Sequence, residues 1–300
     1  YELARLRKVL NEAKIPFIPL KGSVLRRYYP EPWMRTSCDI DVLVHEEAVD
    51  QAAQIIVDKI GYTYEKKNYH DISLMSDGGV HLELHHSIKE NEPNIDLLLS
   101  DCWDYATVLD GCEYEFTNEF FCFHQFAHMS YHFLHGGCGV RPILDLYLLQ
   151  RKMPFDSTVL DEMLERSGIK KFFETAKAIS EVWFGSGEHT DVTRRMEDYL
   201  LRGGVYGSTA NSMAVGQQKE KGRLGYIINR IWLPYELLCI TYPRLKRRKY
   251  LQFFYEIKRW LRIFNPEARK HKKRELDIIK GLDAEQKAEV NQMLSELGLM

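Results

Sequence analysis

The segment DIDVLV sets two carboxylates, Asp39 and Asp41, between large apolar residues. That alternation, rich in β-branched residues, predicts a strand. In a strand both aspartates leave the same side, about 6–7 Å apart. Like charges at that spacing are costly unless a cation lies between them, and hard divalent ions such as Mg2+ take carboxylate oxygens. Upstream, the apolar run IPFIPL reads as a second strand and leads into Lys21-Gly22-Ser23 and the start of a helix. Such a bend presents backbone N–H groups and a hydroxyl to an anion, and phosphate would fit. Each feature has a plainer reading: a turn aspartate beside a solvated one, and a Gly-Ser helix cap. Their succession, apolar strand, Gly-Ser, helix and Asp-x-Asp strand, is much rarer than either part.

Those residues, with Tyr28-Tyr29-Pro30 and Arg35, resemble the DNA polymerase beta type nucleotidyltransferase superfamily. The nearest likeness is to a bacterial branch labelled uncharacterised nucleotidyltransferases. The motif-bearing likeness runs over about residues 15–90 and weakens toward about 150. It implies a third carboxylate on a later strand, and the sequence offers a candidate. YHDISLMSDGGVHLELHHS alternates apolar and polar on both sides of Asp77-Gly78-Gly79, a hairpin signal. Glu83, between Leu82 and Leu84, faces away from the apolar side, and beside DIDVLV it would join the aspartates. His81 and His85 share its face and read first as ordinary polar strand positions.

By that resemblance Asp39, Asp41 and Glu83 bind one or, more in keeping with the family, two Mg2+ ions. Gly22 and Ser23 cradle the phosphates of an NTP, and an NMP passes to an acceptor hydroxyl on a small molecule or protein, with release of pyrophosphate. Lys21 and Arg35 either neutralise the triphosphate or pair with a carboxylate. Two other outcomes stay open: a nucleotide-binding protein on the same fold without turnover, and a polynucleotide-binding protein.

The last outcome rests on residues 219–274, where 17 Lys and Arg stand against 4 Asp and Glu, although the whole chain of 300 residues carries a net charge of only -2. Aromatic residues alternate with the cations there, as in YLQFFYEIKRWLRIF. That interleaving suits stacked bases, an anionic membrane surface, or a helix with an aromatic core side and a solvated basic side. The 45% hydrophobic and 28% charged content is ordinary for a soluble globular protein, and no apolar run approaches a membrane span. Six cysteines without Cys-x-x-Cys spacing predict reduced thiols and a cytoplasmic setting.

The elements that must position these groups predict an α+β chain: a small mixed-sheet nucleotidyltransferase core over 1–118, then a mostly helical domain over 119–300. ELARLRKVLNEA has helical spacing, the helix after Gly22-Ser23 stops at Pro30 and Pro32, and HEEAVDQAAQIIVDKIGY ends at Gly61. Within 88–120 a short helix around Leu97–Trp103 and the strand-like EYEF are expected. FFCFHQFAHMSYHFLHGG sets His124, His128 and His132 four apart on one helix face, with His135 one turn on. Without a neighbouring glutamate this reads as a polar face toward a cleft rather than a zinc site. The resemblance implies that this helix contacts the catalytic core. RPILDLYLL buries Asp145 among apolar residues, where it needs a partner: Arg141 four residues earlier, or a nucleotide or acceptor in the cleft. The segment RGGVYGSTANSMAVGQQKEKGRLG reads as a loop, and the C-terminal stretch as two helices broken at Gly281.

Overall fold

The runs with two-residue periodicity pair into a seven-stranded mixed sheet of order β3-β4-β5-β2-β1-β7-β6. The computed structural model describes residues 1–204 continuously, 248–261 and 284–299, and isolated positions between 207 and 245. Its strands are β1 (Phe17–Pro19), β2 (Asp39–Val44), β3 (Thr63–Lys67), β4 (Asp71–Met75), β5 (His81–His85), β6 (Ala106–Asp110) and β7 (Glu113–Phe116). β2 pairs antiparallel with β1 and parallel with β5, while β4 and β5 form the hairpin over Asp77-Gly78-Gly79.

Alternation gives this sheet two unlike faces. Ile40, Val42 and Val44 of β2, Leu82 and Leu84 of β5 and Ile72 and Leu74 of β4 enter one apolar core. Against them pack α1 (Glu2–Glu12), through Leu6, Val9 and Leu10, and α3 (Val49–Ile60), through Val49, Ala52, Ala53 and Ile56. The α3 set falls at i, i+3, i+4 and i+7, the stripe of a helix lying on a sheet. Gly61, at φ +74°, ends that helix in the left-handed conformation glycine favours. The opposite face carries Asp39, Asp41, Glu83 and His85.

Two strands lie outside the sequence reading. β3 is an edge strand exposed along its whole length, so its residues lack the apolar alternation that marks a half-buried strand. β6 turns into β7 over Gly111-Cys112, with Gly111 at φ +59° in the left-handed conformation a two-residue hairpin loop requires. The short helix expected over Leu97–Trp103 is two pieces, α4 (Pro93–Leu99) and a 3-10 turn over Cys102–Tyr105.

Contacts divide the chain into one unit of residues 1–131 with 142–188 and a second of 132–141 with 189–300. The first holds the whole sheet, most of α5 (Asn118–Leu134), nearly all of α6 (Arg141–Lys152), and α7 (Ser157–Arg166) and α8 (Lys170–Phe184). In the second, α9 (Asp191–Gly203) buries Met196, Tyr199 and Leu200, and Arg195 pairs with Glu296 of its C-terminal helix (Ala284–Glu296) at 2.7 Å. The amphipathic helix Gln252–Leu261 exposes Phe253 and Phe254 and buries Glu256, which Arg259 meets at 2.7 Å. Most of the basic block 219–274, the loop expected between 205 and 225 and the break at Gly281 lie outside the described residues. All six cysteines are free. Among the described residues no helix is long and apolar enough to cross a membrane.

Candidate active site

Parallel pairing of β2 with β5 places Asp39 opposite His81, Asp41 opposite Glu83 and Leu43 opposite His85. Side chains in register share a face, so the aspartates and Glu83 meet on the polar side of the sheet. Asp41 is the buried member, at 3% exposure. Its Oδ1 accepts a hydrogen bond from Lys21 Nζ at 3.0 Å, and His85 Nε2 lies 2.9 Å from the same oxygen, within hydrogen-bond distance. His85 Nε2 also lies 3.4 Å from Glu83 Oε2. Asp41, Glu83 and His85 each offer a ligand atom, all within 4.8 Å of one another. Two carboxylates and an imidazole at that spacing fit a divalent cation. Asp39 stands outside this tight group, on the same face one strand repeat away.

The charges in the site are interdependent. Burial pushes the Asp41 carboxyl upward, but the Lys21 ammonium and the His85 ring outweigh it and hold it well below the usual carboxylate range. Burial likewise pulls Lys21 and His85 down, and Asp41, joined by Glu83 at His85, raises both. Glu83 is lowered by the hydrogen bond from His85, against some burial. Asp39 goes the other way: burial and then the Asp41 carboxylate raise it by more than the Lys21 charge lowers it, and among the described residues no cation is bonded to it.

The bend after β1 abuts this face, since Leu20 donates its amide to the Asp41 carbonyl at 2.9 Å. α2 (Gly22–Leu25) is one turn long and continues as a 3-10 turn over Arg26–Tyr28, so its dipole is small. Ser23 spends its amide on the Leu20 carbonyl at 3.1 Å. An anion here would therefore be held by the Ser23 hydroxyl and the Gly22 amide, one backbone donor fewer than expected. Glycine at position 22 has a steric reason: an added Cβ would stand 3.1 Å from Ser37 Cβ and 3.7 Å from Arg35 Nη1.

Arg35 and Asp145 find each other. Arg35 donates from Nε to Asp145 Oδ1 at 2.8 Å and from Nη2 to Oδ2 at 2.9 Å, a two-pronged pair. Tyr29 Oη donates to Oδ1 at 2.6 Å, and Arg35 Nη1 donates to the Thr36 carbonyl at 2.8 Å. This corrects the expectation that Arg141 satisfies Asp145: Arg141 is exposed, and Arg35, distant in sequence, takes the carboxylate. Lys21 pairs with Asp41 and Arg35 with Asp145.

The chain matches the family model described as uncharacterised nucleotidyltransferase over residues 1–185. The chain belongs to that family. No curated protein matches it. The matched span contains the whole sheet and every site residue expected from the sequence, from Lys21 to Asp145. Within it the Asp-Glu-His group fits a nucleotidyl transfer role.

The first two histidines of α5 lie within reach of the charges of Lys21 and His85. His124 is buried; burial first, then the positive charges of His128 and Lys21, push it down to about 3, so it is neutral at physiological pH. His128 meets Glu90 Oε1 through Nδ1 at 2.7 Å. The residue that sequence reasoning undervalued is His85. Its signal was present, because His81, Glu83 and His85 alternate on one strand face; what one strand could not reveal was Asp41 within hydrogen-bonding distance.

Proposed function

We propose that this family member is a metal-dependent nucleotidyltransferase of the DNA polymerase beta type, moving an NMP from an NTP to an acceptor hydroxyl and releasing pyrophosphate. The observation that supports this best is the β2–β5 register, which sets Asp41 against Glu83 immediately beside the Gly22-Ser23 bend. Asp39, Asp41 and Glu83 would hold the divalent cation, with Mg2+ the expected ion and two ions the expected number. When bound, such ions supply Lewis-acid stabilisation of the charge that develops on the transferring phosphoryl group.

The chain's own groups divide the remaining work. Asp41, fixed by Lys21 and His85, stays ionised and stationary. Glu83 completes the set and helps take the proton of the incoming hydroxyl. Loss of that proton frees the oxygen lone pair to form the new bond to the α-phosphorus. The bond from that phosphorus to the bridging oxygen breaks, and pyrophosphate leaves with its electron pair. Ser23 and the Gly22 amide would hold the outer phosphates through this step, with Lys21, next to them in the chain, sharing their charge.

The test is Mg2+-dependent NTP binding by the native chain and by the Asp39→Ala/Asp41→Ala variant. Binding is expected to be lost in the variant, and equal affinity in both would refute the assignment. Labelled NTP with candidate acceptors then separates turnover, read as pyrophosphate, from binding alone.

A further inference from the structure

We propose that His85 is a direct ligand of the cation this site takes, and that its nitrogen tunes the site toward Mn2+ over Mg2+. The proposal rests on the nucleotidyltransferase reading but goes beyond it, because an imidazole nitrogen widens the Mn2+ preference over that of carboxylates alone.

The geometry of the protein's own donors is the first argument. His85 Nε2 stands 2.9 Å from Asp41 Oδ1 and 3.4 Å from Glu83 Oε2. Donors bound at about 2.1 Å lie about 3.0 Å apart along an octahedral edge and about 3.4 Å apart along a tetrahedral one. The two separations are of that order, and with Asp41, Glu83 and His85 all offering donors within 4.8 Å of one another, small side-chain shifts would bring the three onto one ion. Placement is the second argument. β5 is an interior strand with β2 on one side and β4 on the other, and His85 lies opposite Leu43 and Asp71 in the two ladders. A ligand on such a strand is held more firmly than one on a loop. Reach is the third: Nε2, the distal ring nitrogen, is the atom aimed between the two carboxylates.

Ligand chemistry then sets the preference. Mg2+ takes oxygen donors and gives up water reluctantly, whereas imidazole suits first-row transition ions. Two carboxylates with one imidazole is a mixed set that Mn2+ accepts readily and Mg2+ accepts poorly. If His85 served only to orient Asp41, it would duplicate Lys21, which already bonds the same oxygen.

The test uses the full chain and two ions, Mn2+ and Mg2+. With Mn2+ loaded, electron spin echo envelope modulation should show the strong 14N signal of a coordinated imidazole, absent in His85→Gln. Calorimetry should give the native chain roughly a tenfold or larger preference for Mn2+, which His85→Gln and the all-oxygen variant His85→Asp narrow. Because His85→Asp keeps a ligand in place, it serves if the glutamine variant fails to fold. An Mn2+ spectrum without coordinated nitrogen, or a preference unchanged in both variants, overturns the proposal. If that oxygen-only binding is abolished by Asp41→Asn, the nucleotidyltransferase reading survives while His85 loses its role. If neither ion binds with or without an NTP, both readings fall.

Discussion

Asp145→Asn tests how the phosphate-side bend is held in place. The carboxylate accepts two bonds from Arg35 and one from Tyr29, and the Arg35 and Asp145 side chains are only 11% and 8% exposed. Solvent therefore screens the pair little. Asparagine keeps the shape but removes the charge, leaving the Arg35 guanidinium buried and uncompensated. Breaking one partner of such a pair costs about 3–5 kcal/mol. For a folding unit of this size that lowers the melting temperature by roughly 6–20 °C. Arg35 also lies against Gly22, so the bend should loosen and NTP affinity fall alongside stability. The assay is a cycle of Arg35→Met, Asp145→Leu and the double variant in thermal and urea unfolding. Because the double variant leaves no orphaned charge, it should be more stable than either single one. Single changes costing under about 1 kcal/mol, or effects that simply add, would refute this account of the network.

Gly22→Ala should cost roughly 1–3 kcal/mol by overpacking against Ser37 and weaken NTP binding. Ser37→Gly in the same chain removes the opposing Cβ and should recover both, and no recovery would place the fault elsewhere. His124 binds protons in the unfolded chain near pH 6.5 but in the folded one only near pH 3. Its contribution is therefore intact above pH 6.5 and shrinks as pH falls, by about 2 kcal/mol at pH 5. Urea midpoints of native and His124→Gln protein should diverge in pH dependence below 6.5; parallel slopes would contradict the buried neutral histidine. Lys21 has φ +44° and ψ -119°, where a non-glycine residue costs about 1–3 kcal/mol. Lys21→Gly should consequently be more stable than Lys21→Met, since both lose the ammonium but only glycine relieves the backbone. The opposite order in urea unfolding would show no strain there.

What could be read from the sequence follows local periodicity and turn chemistry. β2, the β4–β5 hairpin and the Gly61 stop of α3 are each specified by a few adjacent residues. The orientation of Glu83 followed from Leu82 and Leu84, which had to enter the core. Where burial does not alternate, as along β3, the signal vanishes. The pairings that matter most join distant positions: Asp41 with His85, and Arg35 with Asp145. No spacing rule predicts them, and in the Asp145 case the local alternative, a partner four residues away, drew attention from the residue that satisfies it.

The arrangement also explains why one aspartate of the pair is anchored and the other is not. Asp41 stands opposite Glu83 in the middle of the β2–β5 ladder, deep enough that an uncompensated carboxylate would be costly; Lys21 and His85 compensate it at one oxygen. Asp39 begins β2, is half-buried, has no bonded cation among the described residues, and is raised by burial and by its neighbour. A site built from two equally buried carboxylates would need a bound ion merely to stay folded. The deep position has its own ammonium and imidazole, which leaves Asp39 and Glu83, the more exposed pair, to answer to whatever binds.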